Sequence, residues 1–431
     1  MKGGNIALHL SYKKNVQLNN NYSNIIGHMC YAAYKLWNVC NYERKNYKEI
    51  GLLNFPNWYY QKKEHKNNLW YKQLPSQSAQ EVCKILDKGW KSYFRLKETK
   101  GIENPKPPRF KQEPIAITYM QNGIKHDNDS SMVKLTLSKE LKDFMSVTYG
   151  INDQFIYLEN KIFKNINNIK QIKIYPPKDN VCDIIIIYEI EDVTLLKNNN
   201  NYLSIDIGLH NLLTCYHYSK DNNNLDGNTF IVGRKYLAFC NYYYKEIARV
   251  QSEWYKAQNK QGVKYPKTSK HIQRLYKKKN NIIHDYLHKV TNYIVQYCLD
   301  NNIHIVVIGD ITNIRKDKNF KDSINQKLHS LPYKKIYELL EYKLTLKGIR
   351  FIKVKECYSS QVSPLQPQVS KKYATKNKRI VRGLFKDGIY SWNADCVGAF
   401  NILRLFFQTN DINITLNHFS IKTPTVIKVA V

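Results

Sequence analysis

None of the nine cysteines of this 431-residue chain stands in a C-x-x-C pair; they are scattered singly from Cys30 to Cys396. An odd, dispersed set indicates neither a disulfide framework nor a four-thiolate zinc site. Long apolar runs are missing too. Segments such as CDIIIIYEI fall far short of the roughly 20 residues of a membrane-spanning helix. The start, MKGGNIALHLSYKKN, has no apolar stretch followed by a small-residue cleavage site, so no secretory leader and no membrane partner are expected. A reducing cytoplasm, with the protein associated with the nucleoid, fits the cysteine usage. Acidic residues are scarce: Asp and Glu number 35 against 67 Lys and Arg, for a formal net charge of +32. An AT-rich coding sequence would account for the Asn and Tyr runs but accounts poorly for Lys over Glu. Such an excess suits a chain that neutralises a phosphate backbone, so nucleic acid is the expected partner.

Three of the scarce acids sit where an apolar strand or a helix begins or ends: Asp206 in LSIDIGLHNLL, Asp310 in IHIVVIGD and Asp395 in WNADCVGAFNIL. The strand segments are apolar and β-branched up to the acid, as in a strand covered on both faces, where an unpaired carboxylate costs several kcal/mol. A cation accounts for such a cluster. Mg²⁺ takes hard oxygen ligands, and two ions bridged by carboxylates can stabilise both the attacking and the leaving oxygen in phosphodiester hydrolysis.

Along the chain, NIALHLSY alternates like a strand. Residues 20 to 100 then carry apolar and aromatic residues at three- and four-residue spacing, with Ser76 and Ser78 placed to form a capping box. Trp37, Trp90 and Tyr93 at that spacing read as core. The segment GIENPKPPRFKQEPI, 101 to 115, breaks helix and marks a boundary. VKLTLS, SVTYGI, QIKIYPP and CDIIIIYEI follow as strands of a largely antiparallel β domain that the first strand joins, and the Asn run at 198 to 201 reads as a linker. From Tyr202 the expected order is three antiparallel strands, long helices, the strand ending at Asp310, a helix, the strand ending at Glu356, and a helix at Ala394. That is the ribonuclease H plan, in which ligands gather at the carboxyl ends of the central strands.

With these residues in order, the chain resembles the TnpB (OrfB) proteins of transposon insertion sequences, relatives of the Fanzor proteins and of type V CRISPR effectors. The resemblance runs over nearly the whole length. It is carried by LPSQSAQEVCKILDKGW, NPKPPRFK, SIDIGLHNLLT, IHDYLHKVTNYIV, LPYKKIYELLEYKLTLKGI, ECYSSQ, RIVRGLF and NADCVGAFNIL, in this order. It implies a multidomain α+β fold. A β-barrel wedge domain (residues 1–18 and 101–197) would hold an inserted helical recognition domain (19–100). A RuvC-like α/β nuclease domain of ribonuclease H fold (202–431) would follow, with a degenerate zinc-finger insertion at about 357–392. The activity implied is RNA-guided DNA cleavage, with a guide RNA derived from the transposon end and double-stranded target DNA as partners. Two Mg²⁺ ions are implied as cofactors, with Mn²⁺ able to substitute.

The resemblance assigns the first acid to Asp206 and the last to Asp395. Most relatives read I-E-D where this chain reads I-G-D, which leaves Gly309 at the glutamate position and Asp310 one place later, facing the other way. A subset of relatives carries the glutamate before the Y-T-S-Q segment instead, which corresponds to Glu356 in KECYSSQ. Glu356 is the preferred third acid, and Asp310 stays open as the alternative or as a cap of the following loop. Between them and the last acid the usual C-x-x-C pairs are absent, so zinc is not expected. His284 and His288, one helical turn apart, read as packing or phosphate-facing residues. IVRGLF and GIYSW, joined through Asp387-Gly388, predict a β-hairpin in a segment that presents Lys371, Lys372, Arg379 and Arg382 to a phosphate backbone. Two other readings stand beside cleavage: a nuclease-dead RNA-guided binder or repressor, and a plain DNA-joining transposase.

Overall fold

The computed structural model describes residues 5–99, 102–127, 132–159, 166, 168–219, 229–312, 330–375 and 383–430. The chain divides into two compact units, Ala7–Asp192 and Val193–Val431 with Met1–Ile6. The division falls within the strands β1 (Asn5–Gln17) and β7 (Val181–Thr194).

The first unit opens with helices α1 (Asn20–Lys45), α2 (Trp58–Glu64), α3 (Leu69–Lys72) and α4 (Ser76–Glu98). Asparagine starts three of them: Asn19, Asn57 and Asn68 each accept a hydrogen bond from a backbone N–H of the first turn. The capping box expected at Ser76 does not form. Pro75 already occupies the cap position, so Ser76 lies inside the helix and its Oγ accepts from Gln80 Nε2 at 3.3 Å. Trp37 and Trp90 are buried, as expected, whereas Tyr93 only packs at the edge of that core. The proline-rich boundary segment runs without regular structure along α1, held where Asn41 and Asn38 donate to the carbonyls of Pro108 (3.0 Å) and Lys111 (2.9 Å).

The strands of this unit form two sheets. One has the order β1-β7-β6-β2, with β2 Ile117–Met120 and β6 Ile169–Ile174; the other runs β3-β4-β5, with β3 Ile124–Asp127, β4 Met132–Thr136 and β5 Phe155–Glu159. The pairings among the described residues do not close these sheets into a barrel. SVTYGI is not a strand. It completes helix α5 (Lys139–Tyr149), which Ser138 caps and Gly150 ends at φ 66°. Leu141 and Met145, four apart, bury its inner face, and this helical period outweighs the local β-branched residues.

The second unit is built on a six-stranded sheet of order β12-β11-β8-β9-β10-β15. β8 (Asn201–Ile207), β9 (Leu213–Ser219) and β10 (Thr229–Val232) are antiparallel neighbours. β11 (Ile305–Asp310) lies parallel to β8, and β12 (Arg350–Lys355) parallel to β11. β15 (Thr425–Ile427) adds to β10. Helices α6 (Tyr236–Lys260), α7 (Lys270–Asp300) and α8 (Tyr333–Thr345) make the crossovers, and α9 (Ala394–Thr409) follows the hairpin β13–β14 (Leu384–Asp387, Tyr390–Asn393). The Asn run before β8 is no free linker. Asn199 and Asn201 donate to the carbonyls of Asn302 and Asn301, both at 2.7 Å, and tie the strand to the end of α7.

Alternation along the strands sorts the sheet into two faces. Leu203, Ile205, Ile207, Val306 and Ile308 pack with α7 and α8, through Val290, Ile294, Ile336 and Leu340. Tyr202, Ile305, Val307 and Val354 pack with α9, through Val397, Phe400 and Leu403. Any side chain at a strand end inherits one of these faces.

Candidate active site

The same alternation places the acids. Asp206 follows Tyr202 and Ser204 onto the α9 face of β8. Register pairs Ile308 with Ile205, Gly309 with Val354 and Asp310 with Lys355. Gly309 therefore lies on the α9 face, and Asp310 on the opposite one. Asp310 Oδ1 accepts from the Thr312 N–H at 3.0 Å and from the Thr312 hydroxyl, so Asp310 caps the loop leaving β11. Glu356, two residues beyond Val354, returns to the α9 face.

Glycines make room for the two carboxyls there. A Cβ at Gly309 would stand 2.5 Å from Glu356 Oε2 and 2.9 Å from Ile402 Cδ1. A Cβ at Gly398 of α9 would stand 2.5 Å from Asp206 Oδ2. Ser204 Oγ donates to the Ala399 carbonyl at 2.7 Å and holds α9 this close to β8. The Tyr337 hydroxyl donates to the Gly309 carbonyl at 2.7 Å and accepts from the Ile311 N–H at 3.0 Å, fixing the end of β11.

Glu356 Oε1 accepts from Ser359 Oγ at 3.3 Å, and Asn401 Nδ2 holds the Ser359 and Val362 carbonyls at 2.7 and 2.8 Å. The residue is half-buried, but its Oε2 is shut off from solvent and meets no donor. What lies within hydrogen-bonding reach is the Asp206 carboxyl, and two carboxyls pair only when one holds a proton. Burial first, then the Asp310 charge, pushes the Glu356 pKa up to about 7 against the opposing bonds from Ser359 and Asp206.

Asp395 occupies the first turn of α9, where the capping Asn393 Oδ1 accepts from its N–H at 3.0 Å. Asn211 Nδ2 donates to Asp395 Oδ2 at 2.8 Å, and Arg234 Nε donates to Asn211 Oδ1 at 3.1 Å. Burial, then the charge of Asp395 and more weakly that of Asp206, pushes the Cys396 thiol up to about 12, so both acids face the start of α9. Among the described residues no three His, Cys, Asp or Glu side chains are spaced to hold a metal ion as they stand. The donor chemistry nevertheless fits a hard divalent cation: two carboxyls pressed together in a buried setting, one with an oxygen no donor satisfies.

Lys371 and Lys372 are exposed on a short turn, Lys371–Tyr373. Arg379 and Arg382 lie outside the described residues. The predicted hairpin is present as β13–β14, with Gly388 at φ 59° in its turn and Phe385 and Trp392 buried opposite each other. His284 and His288 pack ring to ring at 4.4 Å, and burial lowers the pKa of both. Sequence reasoning missed Gly398, Asn211, Arg234 and Ser359. A glycine three residues after the acid in an otherwise apolar helix was the one legible signal.

Two family models match the chain: OrfB_IS605, "Probable transposase", over residues 185–315, and "Cas12f1-like, TNB domain" over residues 333–402. The chain is similar to "Putative RNA-guided DNA endonuclease InsQ" of Escherichia coli (strain K12), 24% identical over 377 residues, 84% of this chain and 82% of that protein. Among solved structures it is similar to Cas12f1 in a cryo-EM Cas12f1-sgRNA-target DNA complex, with a TM-score of 0.53 and 15% identity over 88% of this chain and 81% of that one. The fold is a mixed α+β, multidomain one similar to that of Cas12f1.

Proposed function

We propose that this chain, a TnpB-like protein, is an RNA-guided, Mg²⁺-dependent DNA endonuclease of the transposon-associated type, acting in the cytoplasm on nucleoid DNA. One observation carries the catalytic part: Asp206 and Glu356 converge on one sheet face, where glycines clear space for both and no donor satisfies Glu356 Oε2. Residues 202–431 would be the RuvC-like nuclease domain, 19–100 the recognition domain, and 1–18 with 101–197 the wedge domain, a β-barrel in this reading.

Asp206, Glu356 and Asp395 would hold two Mg²⁺ ions, with Mn²⁺ able to substitute. Bound there, such ions activate a water and stabilise charge on both oxygens of the scissile phosphodiester. Glu356 would give up its proton to solvent when a cation binds, and Asn211, donating to Asp395 Oδ2, would keep that carboxylate turned to the site. Lys371 and Lys372, with Arg379 and Arg382, would contact the phosphate backbone. Base pairing by a transposon-end guide RNA would supply most of the sequence specificity, the protein reading a short motif in the flanking duplex of the target DNA.

A second reading, a guided DNA binder without cleavage, is favoured by the lack of a ready three-group cation site among the described residues. Purifying the protein from cells carrying its native locus, sequencing the bound RNA and supplying matching duplex DNA with Mg²⁺ separates them. Specific RNA with cleavage supports the endonuclease. Specific RNA with binding alone supports the second reading, and no bound RNA overturns both.

A further inference from the structure

A cleft of about 540 Å³ opens in the first unit between α1, α3 and α5. Its wall is a belt of rings. Trp70 meets Tyr31 edge-on at 5.5 Å, and Tyr31 stacks toward His28 at 6.4 Å. His28 stacks on Phe144 at 4.3 Å, and Phe144 meets Tyr149 at 6.3 Å. These rings are left open: Tyr31 is 37% exposed, Tyr149 53% and the neighbouring Leu69 60%. A soluble surface seldom leaves so contiguous an aromatic patch without an occupant.

The cleft is not only apolar. Exposed Asn24 brings a side-chain amide to its lining, and the buried Gln73 Oε1 accepts from His28 Nε2 at 3.2 Å, pinning that ring in place. Burial lowers the His28 pKa, so the ring is neutral and offers a π-face rather than a charge. Lys35 sits at the rim, its Nζ 5.2 Å from the Tyr31 ring and 5.1 Å from the Tyr34 ring. The occupant that matches has a flat π-face, hydrogen-bonding edges and an adjoining negative charge. Those are the properties of a nucleobase on its phosphate backbone, in a chain of net charge +32. A base paired in a duplex hides its faces, so the base must be unpaired.

We propose that this cleft takes one unstacked nucleobase of a single-stranded nucleic acid, stacked on Tyr31 and Tyr149, with Lys35 on the neighbouring phosphate. This rests on nucleic acid as the partner and is independent of cleavage.

The test uses the full-length protein stripped of co-purifying nucleic acid at high salt. Its affinity is measured for a short single-stranded RNA and for single-stranded DNA of the same sequence, each with one nucleotide at a time made abasic. Tyr149→Ala, at the exposed end of α5, should weaken binding by roughly five- to a hundredfold, the worth of one stacked base, while Tyr149→Phe keeps the affinity. The salt dependence should not change, because phosphate contacts are untouched. At one position the abasic nucleotide should weaken the wild type and cost the alanine variant nothing more. The strand that shows this coupling, RNA or DNA, is the source of the base. Wild-type affinity in both Tyr149→Ala and Tyr31→Ala, or abasic losses identical in wild type and variants, overturns the pocket and leaves the nucleic-acid partner standing. A wild type that binds neither strand overturns both.

Discussion

The two units treat buried charge in opposite ways. In the first, Arg44 on α1 meets Asp87 on α4 at 3.0 Å with both side chains almost fully buried, and Gln61 Nε2 and His65 Nε2 close on Glu43. Despite desolvation, bonds from Lys91 and Arg44 hold the Asp87 carboxyl, and bonds from His65 and Gln61 the Glu43 carboxyl, below their usual range. In the second, Asp206 and Glu356 are pressed together, and burial drives the Glu356 carboxyl up. Compensated charge serves packing, and two carboxyls brought together in a buried setting mark chemistry. The second unit is also where the charge excess lies, with 39 Lys and Arg against 16 Asp and Glu, compared with 28 against 19 in the first. Its few acids are held on an otherwise basic body that can grip an anionic substrate.

The sharpest way to break this contrast is through activity. Asp206→Ala and Glu356→Gln should each abolish guided cleavage and leave guided binding nearly intact. Asp310→Asn, on the other sheet face, should cost no more than about ten- to a hundredfold, as expected of a supporting residue. Cleavage rates on a matched duplex give the order. If Asp310→Asn proves the more damaging, the third acid is Asp310; if the wild type itself binds the matched duplex without cutting it, the chain is a binder.

Stability gives the next largest difference. Arg44→Ala takes one of two cations from the buried Asp87, leaving Lys91 at 2.9 Å, and should destabilise the first unit by about 1.5–3 kcal/mol in denaturant unfolding. A loss below about 1 kcal/mol, the worth of an exposed pair, would show that water reaches the network and that the compensation is not structural.

In the second unit the corresponding change should stabilise. Because the folded pKa of Glu356 lies above the ordinary 4.5, near 7, its protonated form is favoured by folding. That contribution is complete below about pH 4.5 and is lost as pH rises through about 7. In chelator, Glu356→Gln should therefore match the wild type at low pH and exceed it in stability at pH 8. Parallel stability curves for the two proteins would mean that the carboxyl is not desolvated.

Much of this was legible in the sequence, for stated reasons. Apolar β-branched runs that stop at Asp206, at Asp310 and just before Glu356 announce strand ends. The two-residue period already implied that Asp310 and Gly309 face opposite ways. The alternation of IVRGLF and GIYSW about Asp387-Gly388 announced the hairpin, in which Phe385 pairs with Trp392. Less legible were features set by partners distant in the chain. Nothing local says that α9 comes near enough to β8 to need Gly398, or that Asn211 reaches Asp395. The Asn residues before helices looked compositional until their capping bonds were seen. SVTYGI looked like a strand because the buried face of its helix, Leu141 and Met145, lies upstream of the segment.

The smallest expected effect probes how tightly the site is fitted. At Gly309 an alanine Cβ would meet Glu356 Oε2 at 2.5 Å and Ile402 Cδ1 at 2.9 Å, so something must shift. The backbone there is an ordinary strand held by the Tyr337 hydroxyl, and the carboxyl must yield. Gly309→Ala should cost about 1–3 kcal/mol, the usual range for overpacking. Glu356→Ala removes the obstructing carboxyl, so in that background the same glycine change should cost clearly less, with a coupling of about 0.5 kcal/mol or more from the double-mutant cycle. The clash with Ile402 persists in both backgrounds and cancels in the cycle. Additive losses would mean that Glu356 does not occupy the space beside Gly309, and the convergence of its carboxyl with Asp206 would fall with it.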